Sequence, residues 1–401
     1  MKLASNSKSP LAVLFVTIFL DLMGFGLIIP ILPLYSKSLG APYWEIGAIA
    51  VMFPLMQFLF ASFWGGLSDR FGRRPIMLVS IFITVLAYIF FAHSTTILML
   101  FISRALSGFG AANLSVAQAY ISDVTKPENR AKSFGILGAA FGLGFIFGPP
   151  IGGFVKENYN LEMVGYVAAS FSFINLVMAY FLLPESLKEK TYGRKLFPNP
   201  FGDVISGFKR ELTGSLLFIN FVYIAAFSMM QITAALLWEE RYALSEAEVG
   251  YMFSYIGVLA VIIQGGLIGW FNKKLGERRL LILGNILMFG GLLMMPFVPV
   301  QYFIPLELVA MAIISFGNSF LTPTISTILS KNSSESEQGK ILGTNQSVGS
   351  MARLVGPLAG TTLYGIAYYL PYVAASTIML LVAWLSVRMI KKHIKRPEKH
   401  D

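Results

Sequence analysis

Gly-Gly-Leu-Ser-Asp-Arg-Phe-Gly-Arg-Arg, residues Gly65–Arg74, runs into Pro75 and decides how this chain is read. It is a short charged turn between two apolar stretches, 44–64 and 76–92, each long enough to cross a bilayer. A loop so placed sits at a membrane surface. Its charges alternate with glycines, which permit a tight turn and close backbone approach.

Outward from that turn the pattern repeats. Of 401 residues, 55 % are hydrophobic and only 13 % charged, which excludes the composition of a soluble enzyme. Twelve apolar spans can be placed: 10–35, 44–64, 76–92, 97–121, 133–155, 164–183, 213–237, 248–270, 280–296, 303–329, 340–364 and 368–390. There is no cysteine, so disulfides, thiolate metal sites and a cysteine nucleophile are excluded. The start Met1–Pro10 runs into a first span too long for a signal-peptide core, with no small-residue cleavage site after it.

The net charge of +10 does not point to nucleic acid. When alternate loops are assigned to opposite sides, 26 of the 31 Lys and Arg residues fall on the side that holds both termini. That asymmetry predicts cytoplasmic termini. The basic tail Arg388–Lys399 is expected as a solvated segment that can also touch anionic lipid headgroups.

Residues 184–212 carry Pro184, Pro198, Pro200 and six basic residues, and they divide six spans from six. The expected domains are therefore 1–183, a cytoplasmic linker 184–212 with a short surface helix around Asp203–Leu212, and 213–401. The halves echo each other. Gly269–Arg279 is a worn copy of the opening turn 204 positions later, and Gly148-Pro149 recurs as Gly356-Pro357. The fold class is all-α integral membrane, with twelve transmembrane helices in two pseudo-symmetric six-helix bundles.

A few polar residues lie deep in the spans. Asp21 is about 15 Å in from Leu11, near the bilayer centre, where a carboxylate must be paired, neutral or in a wet cavity. Burial disfavours its charged form and a nearby cation favours it, so Asp21 is the candidate proton-coupling group, with a permanent ion pair as the alternative. Arg104, about 10 Å below the outer surface, is a fixed charge that tunes Asp21 or holds substrate, or else braces packing. Arg353, about 18 Å in from Ile341, is placed to bind an anionic substrate group or to pair with Glu307. Gln57, Asn113, Gln231 and Asn318 are further substrate or charge-tuning candidates. Together with Gln118, Gln264, Asn345 and Gln346 they make eight polar candidates, each of which, taken singly, fits a helix–helix contact better. Trp44, Trp238 and Trp270 fall at span ends, as an interfacial belt would place them. No histidine lies at midplane and no phosphate-binding loop occurs, which excludes a histidine relay and ATP-driven transport by this chain alone.

With Gly65, Leu67, Asp69, Arg70, Gly72, Arg73 and Arg74 all matching, the opening turn resembles the signature loop of the major facilitator superfamily. Arg104 with Gly108 and Gly110 resembles the family's fourth-helix arginine motif. Gly144, Gly148, Pro149, Gly152 and Gly153 resemble its fifth-helix antiporter motif. The first half is most similar to tetracycline-resistance and multidrug proton antiporters. Departures exist: Ala87 stands where tetracycline exporters have a helix 3 acid, and Asn285 is the nearest match to their helix 9 acid.

The resemblance implies alternating access, with substrate between the halves, Arg104 facing the first helix, and export as the direction. It also implies a cytoplasmic gate: Asp69 facing helix 11 near Gly339–Leu342, and Arg70 or Arg73 pairing with Asp123. The expectation is a proton-coupled exporter of a small amphiphilic drug or metabolite, and not an enzyme. Its partners are that substrate, the proton and membrane lipids, with no nucleic acid and no cofactor or metal. It reads as a monomer in a bacterial inner (plasma) membrane. An uptake or lipid-handling carrier of the same fold is the alternative, and a non-transporting receptor or scaffold the alternative of another class. The deep charges Asp21, Arg104 and Arg353 sum to +1, which disfavours bare cations and admits neutral, zwitterionic or anionic amphiphiles.

Overall fold

The computed structural model describes residues 10–125, 130–187, 200–333 and 335–393. They form α1 (Pro10–Ile28), α2 (Ile31–Ser38), α3 (Tyr43–Phe71), α4 (Arg73–Ala92), α5 (Ile97–Ala111), α6 (Leu114–Val124), α7 (Arg130–Asn158) and α8 (Leu161–Leu182). After these come α9 (Pro200–Phe208), α10 (Glu211–Tyr242), α11 (Glu246–Ile262), α12 (Ile268–Met294), α13 (Phe303–Lys331), α14 (Glu335–Ile366) and α15 (Leu370–His393). No strand occurs among the described residues. In a bilayer this is the expected solution, because a helix satisfies its own backbone hydrogen bonds.

Among the described residues, ten segments are long and apolar enough to span a membrane. One of them, Glu246–Phe297, runs 52 residues and contains Gly276 in a non-helical conformation. α14 is not among the ten. The outer faces carry large apolar side chains in the open, such as Phe173 at 56 % and Phe181 at 75 % exposure, as lipid contact requires.

Two compact units emerge. One comprises Met1–Gly40, Met52–Pro198 and Leu244–Gly257; the other comprises Ala41–Val51, Asn199–Ala243 and Val258–Asp401. Their internal pairing is the same. In the first, α1 packs on α7 and α8, and α4 on α5 and α8. In the second, α10 packs on α14 and α15, and α12 on α13 and α15.

Several expectations are corrected. The spans flanking the opening turn do not stop at 64 and 76: helix continues through Phe71 and resumes at Arg73, so the turn is Gly72 alone. Gly72 has φ 116° and ψ 152°, a conformation open essentially only to glycine. The first span is interrupted at Pro30 and the fourth at residues 112–113. The linker helix is Pro200–Phe208, and Glu211 already begins the next span. Trp44 and Trp270 are more than half exposed, but Trp238 is fully buried. Its indole N–H has an internal acceptor and needs no interface.

Helix starts are fixed locally. Thr96 accepts from Met99 N at 3.3 Å and Asn160 from Met163 N at 2.8 Å. Ser245 and Glu248 form a reciprocal box at the start of α11.

Candidate functional site

Asp21 lies on α1, partly exposed, with two amide side chains converging on it. Asn175 Nδ2 on α8 donates to its Oδ1 at 2.9 Å and also to the Thr17 carbonyl at 3.0 Å. Asn113 Nδ2 donates to its Oδ2 at 3.3 Å. Asn113 sits at the break between α5 and α6, where the chain tightens and Asn113 N bonds back to the Gly110 carbonyl. Such a break inside a span survives only where something else takes up the freed backbone groups. Gln57 Nε2 donates to the Ala111 carbonyl at 3.2 Å and Trp64 Nε1 to the Phe109 carbonyl at 2.7 Å. Gln57 therefore braces the break that positions Asn113.

The glycine motif on α7 packs directly beside this acid. A methyl on Gly144 would come within 3.0 Å of Leu22, and one on Gly148 within 2.8 Å of the Gly26 backbone. Gly152 meets the Leu27 carbonyl. The stripe thus seats α7 against the turn of α1 that follows Asp21. Gly153 meets the Glu246 carbonyl, and the Pro149 carbonyl lies 2.5 Å from where a methyl on Gly250 would sit.

Arg104 is 2 % exposed. Its Nη2 donates to Ser107 Oγ at 3.2 Å and its guanidinium lies 5.0 Å from the Phe91 ring centre. Tyr88, 1 % exposed, is within electrostatic reach of both Arg104 and Asp21. Its ring lies against Gly24. No ion pair joins Asp21 to Arg104 among the described residues. Among the described residues the acid has two neutral donors and no cation, so it can hold a charge or accept a proton without breaking a salt bridge. Tyr88 and Asn175 were not foreseen from sequence. An amide one turn from Ser172 in an otherwise apolar span was the available signal for Asn175.

In the second unit, Tyr223 Oη donates to Asn318 Oδ1 at 2.5 Å and lies 2.6 Å from Thr322 Oγ1. Arg353, half-buried on α14, is within electrostatic reach of Tyr223. It does not pair with Glu307. That carboxyl is completely buried and accepts from Trp238 Nε1 at 2.7 Å. Gln231 is half-buried with no hydrogen bond among the described residues, while Gln264 reaches Ser319 at 3.3 Å.

At the opening turn, Arg73 rather than Arg70 meets Asp123, Nε to Oδ2 at 3.0 Å. It also reaches Asp69 at 2.6 Å and Ser68 at 2.7 Å. Glu185, just past α8, accepts from the backbone N–H groups of Arg73 at 2.9 Å and Arg74 at 3.2 Å. It caps α4, as an anion at a helix N-terminus should. Arg74 reaches back to the Tyr180 carbonyl at 2.5 Å. Gly65 leaves ordinary room, with Ser115 Oγ 3.8 Å from an added methyl. The side chains of residues 335–340 lie outside the described ones, and so does the expected contact of Asp69 near Gly339–Leu342. No cluster of three or more metal-ligating side chains occurs among the described residues.

The chain is similar to known proteins over most of its length. The sequence model of the Major Facilitator Superfamily matches residues 14–301 and 216–400. The class C tetracycline resistance protein of Escherichia coli is 30 % identical over 374 residues, 90 % of each chain. Multidrug resistance protein 2 of Bacillus subtilis (strain 168) is 28 % identical over 403 residues, 98 % of each. Among solved structures, that of the human organic anion transporter MFSD10 (TETRAN) superposes with a TM-score of 0.73 at 24 % identity, over 96 % of this chain and 100 % of that one. A membrane-embedded helical chain, matched by this family model over most of its length, belongs to the major facilitator superfamily: it is a transporter and not an enzyme.

Proposed function

We propose that the chain is a proton-coupled exporter of an amphiphilic drug or metabolite, working by alternating access. The observation that carries this reading is Asp21: a partly exposed acid deep in the first span, held by Asn113 and Asn175 and by no cation. Protonation neutralises it and deprotonation restores a charge whose hydrogen bonds are already in place, so proton occupancy can bias a two-state carrier. The names of the relatives, tetracycline and multidrug resistance proteins, support export of a drug-like molecule.

In this reading Glu246–Phe297 is two crossings divided at Gly276 and α14 is a further one, which makes twelve spans in two bundles. Both termini are cytoplasmic. Arg104 acts on Asp21 through Tyr88, the α7 glycine stripe lets α1 and α7 move in close contact, and Arg73 with Asp69 and Asp123 forms the cytoplasmic gate.

Two measurements test it. Cells expressing the wild type should resist at least one amphiphile in a growth-inhibition panel, and Asp21→Asn should lose that resistance at equal expression. In everted vesicles the same compound should dissipate a preset pH gradient with wild type only. Equal resistance in both forms removes Asp21 from the mechanism; resistance without gradient dissipation removes the proton.

A further inference from the structure

The two units place corresponding polar pairs at corresponding positions. Asp21 on α1 meets Asn113; Tyr223 on α10, 202 positions later, meets Asn318, 205 positions after Asn113. The packing around them repeats too: Gly148 on α7 lies against Met23 and Gly26 of α1, and Gly356 on α14 against Ala225 and Ser228 of α10. The chemistry is reversed. In the first unit an acid accepts hydrogen bonds. In the second a phenol donates one, and Arg353 sits on α14 between Gly349 and Gly356, which pack against Ile224 and Ala225, the neighbours of that phenol on α10.

We infer that Arg353, with Tyr223, Asn318 and Thr322, forms an anion site in the second unit, which takes the carboxylate or sulfonate head of an amphiphilic substrate. This names the substrate class for the exporter proposed above and rests on that reading for its link to transport.

A guanidinium cannot shed its charge, and at midspan it is costly unless an anion, dipoles or water offset it. Arg353 makes no ion pair or hydrogen bond among the described residues. The carboxyl that sequence offered as its partner, Glu307, is held by Trp238 instead. Arg353 is only half-buried, so part of its surface is open. The neighbouring groups favour an anion as well. Tyr223 engages Asn318 Oδ1, which leaves the amide's nitrogen end, a donor, without a hydrogen bond among the described residues. Asn318 is half-buried and Thr322 is exposed, so both are reachable. A planar oxyanion suits this set because guanidinium bonds to carboxylate or sulfonate are charge-assisted and directional.

The test uses three water-soluble probes with one apolar body: naphthalene-2-sulfonate, 2-naphthalenemethanol and a 2-naphthyl trimethylammonium salt. The full chain is placed in phosphatidylcholine nanodiscs, so that no anionic lipid competes, and dissociation constants are measured without a proton gradient. The sulfonate should bind wild type at least about tenfold more tightly than the alcohol or the ammonium, as one charged hydrogen bond to a desolvated head implies. Arg353→Gln should bring the sulfonate within about twofold of the alcohol, and Arg353→Lys should keep part of the preference. Tyr223→Phe, which releases the Asn318 amide, should weaken sulfonate binding by about threefold to fivefold.

No sulfonate preference in wild type overturns the site whatever the variants do, and so does an undiminished preference in folded Arg353→Gln. Because binding is read without a gradient, the two proposals fail separately. Sulfonate binding with no proton-coupled transport of any compound overturns the exporter alone. Coupled transport of a neutral amphiphile without a sulfonate preference overturns the anion site alone.

Discussion

The turn at Gly72 and the turn at Gly276 lie 204 positions apart and share one backbone, φ 116° and ψ 152° in the first, φ 74° and ψ 159° in the second. Their charges are inverted. In the first, Arg73 holds Asp123; in the second, Glu277 occupies the corresponding place and holds Lys331 at 2.6 Å. Their surroundings differ as well. The Arg73 side chain is 8 % exposed and has Ser68, Asp69 and Asp123 around it, whereas Lys331 is 66 % exposed. The backbone requirement is common to both units because only glycine turns a helix back so abruptly. The sign of the fastening charge is free to change, and its energetic weight depends on burial.

That comparison can be broken in order of expected effect. Arg73→Ala removes the cation that Asp69 and Asp123 share in a largely buried place. It should cost about 2–3 kcal/mol, somewhat below the usual figure for a fully buried pair because Asp123 keeps some solvent. The check is intrinsic tryptophan fluorescence on heating in detergent, which needs no cysteine. A loss below about 1 kcal/mol would make the first turn no different from the second.

Gly72→Ala should follow at about 2 kcal/mol, since the new side chain meets strained dihedrals and the Glu185 carboxylate together. Gly276→Ala meets strained dihedrals with nothing within 4 Å, so it should cost about 1 kcal/mol. Equal losses would show that Glu185 yields without cost. Glu277→Ala should be smallest, under about 0.5 kcal/mol and further reduced by salt, because its partner is solvated. A large loss there would mean that exposure does not rank these pairs.

The repeat behind this comparison was legible in sequence, because a glycine that must adopt positive φ leaves a residue-specific mark. Asp21 was legible for a related reason: a carboxylate inside an apolar run violates the composition around it. Its partners were not. Asn113 owes its place to a break between α5 and α6 that no proline announces, and Asn175 is one amide in the apolar middle of α8. Gln57 looked like a cavity residue by depth, yet it serves the Ala111 carbonyl, a requirement that exists only once the break exists. Trp238 and Glu307 sat at the ends of different spans, and sequence spacing cannot reveal a hydrogen bond between two helices. α14 is as long as its neighbours but more polar; the sequence placed it at 340–364 as one of twelve apolar runs, and the Gly356-Pro357 echo tied it to α7.

One residue, not a loop, separates α3 from α4, and the start of α4 is tied by Glu185 to the chain leaving α8. A hairpin without slack cannot absorb displacement in its connector. Whatever tilts α3 must tilt α4 with it and pull on the exit from α8, so these three rods act as a single stiff bracket.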